Sequence, residues 1–394
     1  MELTRQQIAK INSYLPLYIY DYEIIKRQIS KLRKCLPANT EIFYSAKANP
    51  NVAILKTMNN FGLGLEIISE GEFLAAQKAG FKPDEMLFGG STRSDSELNL
   101  IAHKNIGLIS LESISEVKRL NKIAKIFGRK IKVLLRFQPD ERYRYGNSLK
   151  DLDKMLVNFS GRFPFLVLKG IHEYVQSRVY SVRPFIGQLD HFFSIISHLE
   201  KKSKLDFKFL DIGGGFGSDM QNDFPGTIFA KKLSRLVRSR DLGEKKIILE
   251  LGRYLVNRSG SFFTRVIEVR KGFDTRFIVV QGLINYLIKI FGGTEESRRF
   301  LGDIREYKVE ILSSKRGKNF PSVICGQMSS GADTFGRGLN CKFLLPDAES
   351  GDIVAIKGVG AYGLTQGVNA FGSRPIAAEF LLIRGKLELI RDKG

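Results

Sequence analysis

Apolar and polar positions change their period along this chain in a way that divides it in two. Between residues 41 and 250, short runs rich in β-branched and aromatic residues alternate with longer stretches of helical periodicity. The runs at 42–45, 65–69, 86–89, 106–110, 131–137, 165–172, 207–212 and 247–250 predict strands. The stretches 71–79, 94–103, 113–127 and 184–199 are among those that predict helices between them. Strand–helix alternation implies parallel strands joined by helical crossovers. Eight such strands over about 210 residues fit a (β/α)8 TIM-like barrel. An open dinucleotide-binding sheet would need a GxGxxG turn after its first strand. Gly62-Leu63-Gly64-Leu65-Glu66-Ile67 lacks the third glycine, and the triplet Gly213-Gly214-Gly215 comes too late.

After Gly252 the helical period fades. Residues 261–270, 276–280, 306–312, 322–325, 351–357 and 376–384 read as strands separated by Gly, Pro and charged turns. The early segment Tyr18-Ile19-Tyr20-Asp21 is strand-like as well and is expected to join that sheet. The expected division is a barrel over 22–252 and an all-β, sandwich-like or barrel-like domain built from 253–394 together with 1–21.

Composition narrows the class. Of 394 residues, 43% are hydrophobic and 26% charged, which excludes disordered and fibrous chains. No apolar run approaches the ~18 residues of a membrane helix, and the N-terminus lacks the apolar region of a secretion signal. A cytoplasmic protein is expected. Cys35, Cys325 and Cys341 are too few and too scattered for a disulfide framework or a zinc site, so no metal is expected. The net charge of +21 raises the question of nucleic acid or anionic membranes. The basic residues are strewn along the chain, singly or in pairs such as Lys201-Lys202, Lys245-Lys246 and Arg298-Arg299, with no longer cluster. Neither partner is expected.

Barrel active sites lie at the C-terminal ends of the strands. The first strand ends in Tyr44-Ser45-Ala46-Lys47-Ala48-Asn49-Pro50. Lys47 is either an ordinary surface lysine or a desolvated amine able to form a Schiff base. The seventh strand runs into Asp211-Ile212-Gly213-Gly214-Gly215-Phe216-Gly217, where adjacent glycines permit positive φ and expose amides suited to phosphate. A plain glycine-rich turn is the alternative. The eighth strand ends in Glu250-Leu251-Gly252-Arg253, which offers a carboxylate for a pyridinium nitrogen and a guanidinium for phosphate. Together these residues describe a pyridoxal phosphate (PLP) site.

With these motifs the chain resembles the fold-type III PLP-dependent decarboxylases, the alanine-racemase-like group that includes ornithine and diaminopimelate decarboxylases. The resemblance runs nearly end to end, through 18–21, 44–50, 62–72, Arg144-Tyr145-Gly146, 213–217, 250–253 and Gly360-Ala361-Tyr362-Gly363. Within the group it is most similar to the branch of siderophore and carrier-protein pathways, through Gly326-Gln327-Met328-Ser329-Ser330-Gly331-Ala332-Asp333. The resemblance implies a head-to-tail homodimer with shared active sites, in which loop 326–333 enters the neighbouring subunit's site. It implies PLP held by Lys47, Tyr174, Gly213, Gly214, Gly215, Glu250, Gly252, Arg253 and Tyr362. Lys47, Ser329 and Tyr174 would be catalytic, and Arg144, Ser330 and Asp333 would contact the substrate. Asn285 and Arg374 are further candidates that serve equally as structural partners.

Three positions depart from the family pattern. Ser329 stands where the family has a proton-donating cysteine, and a hydroxyl is a far weaker acid than a thiol of pKa ~8.5. Ser330 replaces the acidic residue that grips a distal amine, which disfavours lysine, ornithine, arginine and diaminopimelate. Tyr174 replaces the histidine that stacks on the pyridine ring, within Tyr174-Val175-Gln176-Ser177. His172, two residues earlier on the same strand face, reads as a core histidine. Cys325 reads as a strand residue rather than a displaced thiol.

The expected function is PLP-dependent decarboxylation of an amino acid that is not a simple basic diamino acid. The substrate is free, conjugated or tethered to a carrier protein, in a specialised secondary-metabolite pathway. The alternatives are a racemase or decarboxylation-linked transaminase of the same fold, or a PLP-binding protein without activity.

Overall fold

The computed structural model describes residues 3–140, 144–174, 176–287, 303–312, 317–336 and 341–394. Tyr143, Val175 and the Arg298-Arg299 pair lie outside them. The chain forms two compact units. One comprises Ser30–Phe216 and Phe224–Gly252; the other comprises Met1–Ile29, Gly217–Asp223 and Arg253–Gly394. The segment 22–29 and the loop 217–223 thus group with the second unit.

Strand β1 (Leu17–Asp21) belongs to the second unit. The first unit is the barrel: β2 (Thr40–Ser45), β3 (Gly64–Ile67), β4 (Met86–Phe88), β5 (Leu108–Leu111), β6 (Ile131–Phe137), β7 (Leu166–Glu173), β8 (Phe209–Gly214) and β9 (Lys246–Leu251). These eight strands close in sequence order, and β9 pairs in parallel with β2 from Thr40↔Ile247 to Tyr44↔Leu251. The alternation of strands and helices read from the sequence is therefore a closed parallel barrel. Leu87, Leu108, Leu134 and Ile248 pack together in its core, each 6% exposed or less. Strand ends fall short of the pattern at Ser69, which caps a helix, and at Gly89, which lies one residue past β4 while its amide still donates to the Ile67 carbonyl at 2.8 Å.

The helices start where polar caps follow the strands. Ser69, Ser94, Ser113 and Ser148 each accept a bond from the amide three residues on, beginning helices Glu70–Lys78, Asp95–Lys104, Ile114–Ile126 and Leu149–Leu156. Such caps satisfy amides that a helix start leaves without partners. They also fix where each strand-to-helix loop, and hence each candidate side chain, leaves the barrel.

In the second unit β1 lies inside a sheet, antiparallel to β10 (Gly260–Lys271) through Leu17↔Phe263 and parallel to β16 (Ala378–Ile383) through Leu17↔Ala378. The early strand thus pairs with the C-terminal strands as its pattern suggested. The sheet also holds β11 (Arg276–Val280), β12 (Lys308–Leu312), β13 (Phe320–Cys325), β14 (Phe343–Leu345), β15 (Ile353–Lys357) and β17 (Lys386–Arg391). Residues 304–306 form a tight turn, so β12 starts later than its apolar pattern. Strands β14 and β17 escaped the sequence reading because β14 spans three residues and half of the six in β17 are charged. Leu17, Ile19, Phe263, Ala355 and Phe380 form part of the core here.

Candidate active site

Lys47 sits on the short turn Ala46–Ala48 just past β2, between two buried alanines. Its Nζ lies 2.8 and 3.0 Å from the two carboxylate oxygens of Glu66 on β3. The lysine side chain is 38% exposed and the glutamate 2%. Parallel pairing sets Glu66 opposite Ser45, whose hydroxyl also donates to it. A side chain at Gly89 would place its Cβ 2.6 Å from Glu66 Oε1, so the glycine leaves room for this carboxylate. Nearby, Glu72 accepts from the Ile68 amide at 2.8 Å, yet burial raises its carboxyl to about 7.

A second row crosses the barrel interior. Strand register pairs Arg136 with His172 and His172 with Asp211, so β6, β7 and β8 present these three side chains on one face. Glu250 on β9 pairs with Gly214. Arg136 is fixed by Glu112 at 2.6 Å, and Glu112 also accepts from the Gly146 amide at 2.7 Å. His172 Nδ1 is 2.7 Å from the Ser110 hydroxyl, and its Nε2 is 3.9 Å from Glu250 Oε2. Burial raises Glu250 well above the ordinary carboxylate range, and the neighbouring charges of Asp211 and Glu66 add to this. Burial also lifts Asp211 to about 7. Burial, with Arg136, Lys47 and Arg93, lowers His172 well below its ordinary value, so the imidazole is neutral.

The glycine turn closes over this row. Gly213 and Gly215 have φ of +59° and +78°, and Asp211 accepts from the Gly213 amide at 2.9 Å. A Cβ at Gly214 would lie 1.9 Å from the Glu250 carbonyl oxygen, and one at Gly215 would lie 1.8 Å from that of Gln176. Phe216 anchors the turn's far side by stacking on Phe224, with ring centroids 4.0 Å apart. The Tyr174 ring meets this turn, since a Cβ at Gly213 would be 3.0 Å from its Cδ2. The Arg136 guanidinium lies 5.8 Å from the same ring, and the Tyr174 hydroxyl is 2.6 Å from that of Ser177. Gly252 is equally constrained, because a Cβ there would sit 2.8 Å from that of Ala48.

The second unit holds the remaining candidates. Arg253 begins its C-terminal segment, with its guanidinium 5.0 Å from the centroid of the Tyr362 ring, and Tyr362 has φ of +54°. In loop 326–333 Ser329 is exposed and Ser330 half-buried. Asp333 is 2% exposed and turned inward, accepting from the amides of Ile284 and Met328 at 2.8 Å each. Arg374 donates to the Met328 sulfur at 3.2 Å, and buried Asn285 donates to the Phe371 carbonyl. Cys325 ends β13, where burial and Asp333 push its thiol up to about 11. Arg144 is exposed and lies over Tyr145 at 5.1 Å.

The barrel set thus brings together Lys47, Tyr174, Gly213–Gly215, Glu250 and Gly252. Sequence reasoning gave no role to Glu66, Glu72, Ser110, Glu112, Arg136 or Asp211. The available signal was strand alternation, which puts Arg136 and Asp211 on the face of His172 once the register is known.

The barrel residues fit PLP. Among the described residues no donor reaches buried Glu250 Oε1 or Asp211 Oδ2, which leaves acceptor capacity for a protonated ring nitrogen. The backbone of the glycine turn leaves no space for side chains, Lys47 offers an amine at a strand end, and Tyr174 supplies an aromatic face. His172, Asp211 and Glu250 also bring ligand-type atoms within 4.8 Å of one another, a cluster no local spacing announced.

A barrel with this lysine, glycine turn and buried glutamate defines a PLP-dependent enzyme of the decarboxylase fold. The chain belongs to the pyridoxal-dependent decarboxylases, whose pyridoxal-binding domain matches residues 22–257. It is accordingly a PLP-dependent carboxy-lyase acting on an amino acid. It is 28% identical to the diaminopimelate decarboxylase of Campylobacter jejuni, over 96% of this chain and 93% of that one. It is 25% identical to that of Zymomonas mobilis, over 96% and 90%. The crystal structure of AQ1208 from Aquifex aeolicus superposes with a TM-score of 0.86 at 26% identity, covering 98% and 91%. Among the described residues no helix is long and apolar enough to cross a membrane.

Proposed function

We propose that this carboxy-lyase acts on an amino acid whose side-chain end is neutral or anionic, in a specialised pathway, rather than on a simple basic diamino acid. The observation that carries this reading is the disposition of loop 326–333. Its one carboxylate, Asp333, is buried and bound to two backbone amides, while Ser329 and Ser330 carry no charge. A distal ammonium facing this loop would lose its water without gaining a counter-ion, a costly exchange. The reading includes a homodimer in which this loop faces the partner's barrel, and a substrate that is free or tethered to a carrier protein. The similar diaminopimelate decarboxylases supply the competing substrate.

In this reading Lys47 would hold the cofactor through its aldehyde, Glu250 would accept from its ring nitrogen, and Tyr174 would supply an aromatic face. Amides of the glycine turn would hold its phosphate, a task the family resemblance also gives to Arg253 and Tyr362. PLP supplies an electron sink for the bond broken at Cα. Glu66 accepts the proton of the Lys47 amine and keeps that side chain at the strand end. Arg144, Ser330 and Asp333 shape the substrate side, Asp333 by fixing its own loop. Ser329 bears the hydroxyl nearest in chain position to the family's acid. A hydroxyl returns a proton to Cα more slowly than a thiol, so turnover is slow and a Ser329→Cys variant is faster.

The test is CO2 release from the PLP-loaded enzyme. Glutamate and 2-aminoadipate, with their amide forms, are compared with lysine, ornithine, arginine and diaminopimelate. Release from the first group, with rates at least tenfold lower for the second, is expected. Diaminopimelate or lysine as the best substrate would overturn the reading. Borohydride should fix the cofactor to Lys47, and a label on another lysine would move the site.

A further inference from the structure

The Ser110–His172 pair is part of neither the cofactor's covalent attachment nor the substrate loop, yet it points at Glu250, whose carboxyl burial raises well above its ordinary range. Four histidines occur in the chain. His103, His191 and His198 are exposed, whereas His172 is 4% exposed. Its Nδ1 is paired with Ser110 Oγ at 2.7 Å, and its Nε2 has no hydrogen-bond partner among the described residues. The residues around it are Arg136 and Asp211, its register neighbours, with Glu250 3.9 Å away and the charges of Lys47 and Arg93 acting on it.

Hydrogen-bond accounting fixes the direction of this line. A hydroxyl as buried as that of Ser110 must donate to something, and among the described residues the partner of its side chain is His172 Nδ1. Donation to Nδ1 places the imidazole proton on Nε2, facing Glu250 Oε2. The opposite tautomer would leave the Ser110 hydroxyl proton without an acceptor at Nδ1. At 3.9 Å the Nε2–Oε2 separation is longer than a hydrogen bond, and an approach of about 1 Å closes it. Glu250 Oε1, the other oxygen, is buried without a partner. The two oxygens therefore face different tasks.

We infer that His172, oriented by Ser110, is a positioning residue that holds Glu250 through Oε2 and so reserves Oε1 for the cofactor's ring nitrogen. This rests on the PLP reading of the barrel, since without the cofactor Oε1 has nothing to receive. In this role His172 needs no contact with substrate or with the bond that breaks. It acts on the glutamate, as an outer hydrogen bond orients an inner ligand. Arg93 extends the line, because its guanidinium donates to the Ser110 carbonyl at 2.7 Å and holds that residue on β5.

The experiment reads the imidazole directly. Nitrogen NMR of 15N-histidine-labelled apoprotein resolves one buried ring from three exposed ones. The expected result is a neutral Nε2–H tautomer for His172 through neutral pH, lost or mixed in Ser110→Ala and restored in Ser110→Thr. PLP affinity is then measured by titrating each apoprotein. His172→Phe should weaken it about 10- to 100-fold, the weight of one hydrogen bond to a charged group. His172→Gln, which keeps a donor near Nε2, should recover most of that loss. In the loaded enzyme kcat should fall in His172→Phe with KM nearly unchanged. An Nδ1–H tautomer or a doubly protonated ring would overturn the inference. So would unchanged PLP affinity in a folded His172→Phe. Failure of the wild-type protein to bind PLP would instead remove the cofactor reading itself, so the two failures are distinct.

Discussion

Asp211→Asn should make the cofactor-free protein more stable at alkaline pH, although it removes a charge from the active site. Asp211 is fully buried and burial raises its carboxyl from 3.8 to about 7. Because the folded-state value is the higher one, folding favours the protonated form. Its contribution is intact below about pH 4, and stability is lost as the pH rises toward 7. The difference is about three pH units at 1.36 kcal/mol each, so the loss approaches about 4 kcal/mol above pH 7. Glu250 takes up part of the same proton, which makes this figure a ceiling. Asparagine has no such slope. Its Oδ1 still accepts from the Gly213 amide, which Asp211 now holds at 2.9 Å. Urea unfolding of both apoproteins at pH 4.5 and pH 8 measures the effect. The variant should match the wild type at the lower pH and exceed it by about 1–4 kcal/mol at the higher. A difference that does not change with pH, or a variant less stable at pH 8, would refute the reasoning.

Other outcomes follow from the same geometry. Glu173→Leu removes a buried carboxyl that burial raises to about 8, with Oε2 lacking a partner. Folding favours its protonated form, so the variant's advantage over the wild type should grow between pH 5 and pH 9 in urea titrations. Gly214→Ala forces a Cβ to 1.9 Å from the Glu250 carbonyl, and separating β8 from β9 should cost about 1–3 kcal/mol or more. Titration should show weakened PLP binding as well. Glu116→Ala leaves the buried Arg93 guanidinium without the carboxylate now 2.7 Å away, a loss of about 3–5 kcal/mol readable from the urea midpoint. Lys47→Ala should abolish borohydride-fixed cofactor, while Lys47→Arg retains the pairing with Glu66 but not the covalent label.

The barrel and the chemistry at its strand ends were legible without coordinates. Period-two and period-three-to-four patterns are local, and eight alternations leave few architectures. Lys47, the glycine triplet and Glu250 could be placed because each ends a strand, and strand ends in a barrel converge. Strands β14 and β17 could not, since three residues, or six of which half are charged, make too weak an apolar pattern to read.

What tertiary structure alone decided is who faces whom inside the barrel. Glu66 reaches Lys47 because β2 and β3 pair with Ser45 opposite Glu66. Arg136, His172 and Asp211 form a row because three strands share one register. Asp333, a substrate candidate by motif, is turned into its own loop by two backbone amides. A parallel sheet draws its hydrogen bonds from residues far apart in the chain, and a slip of one position would turn every side chain to the other face. Local sequence sets which residues can form the strands. Closing the barrel sets which of their side chains meet.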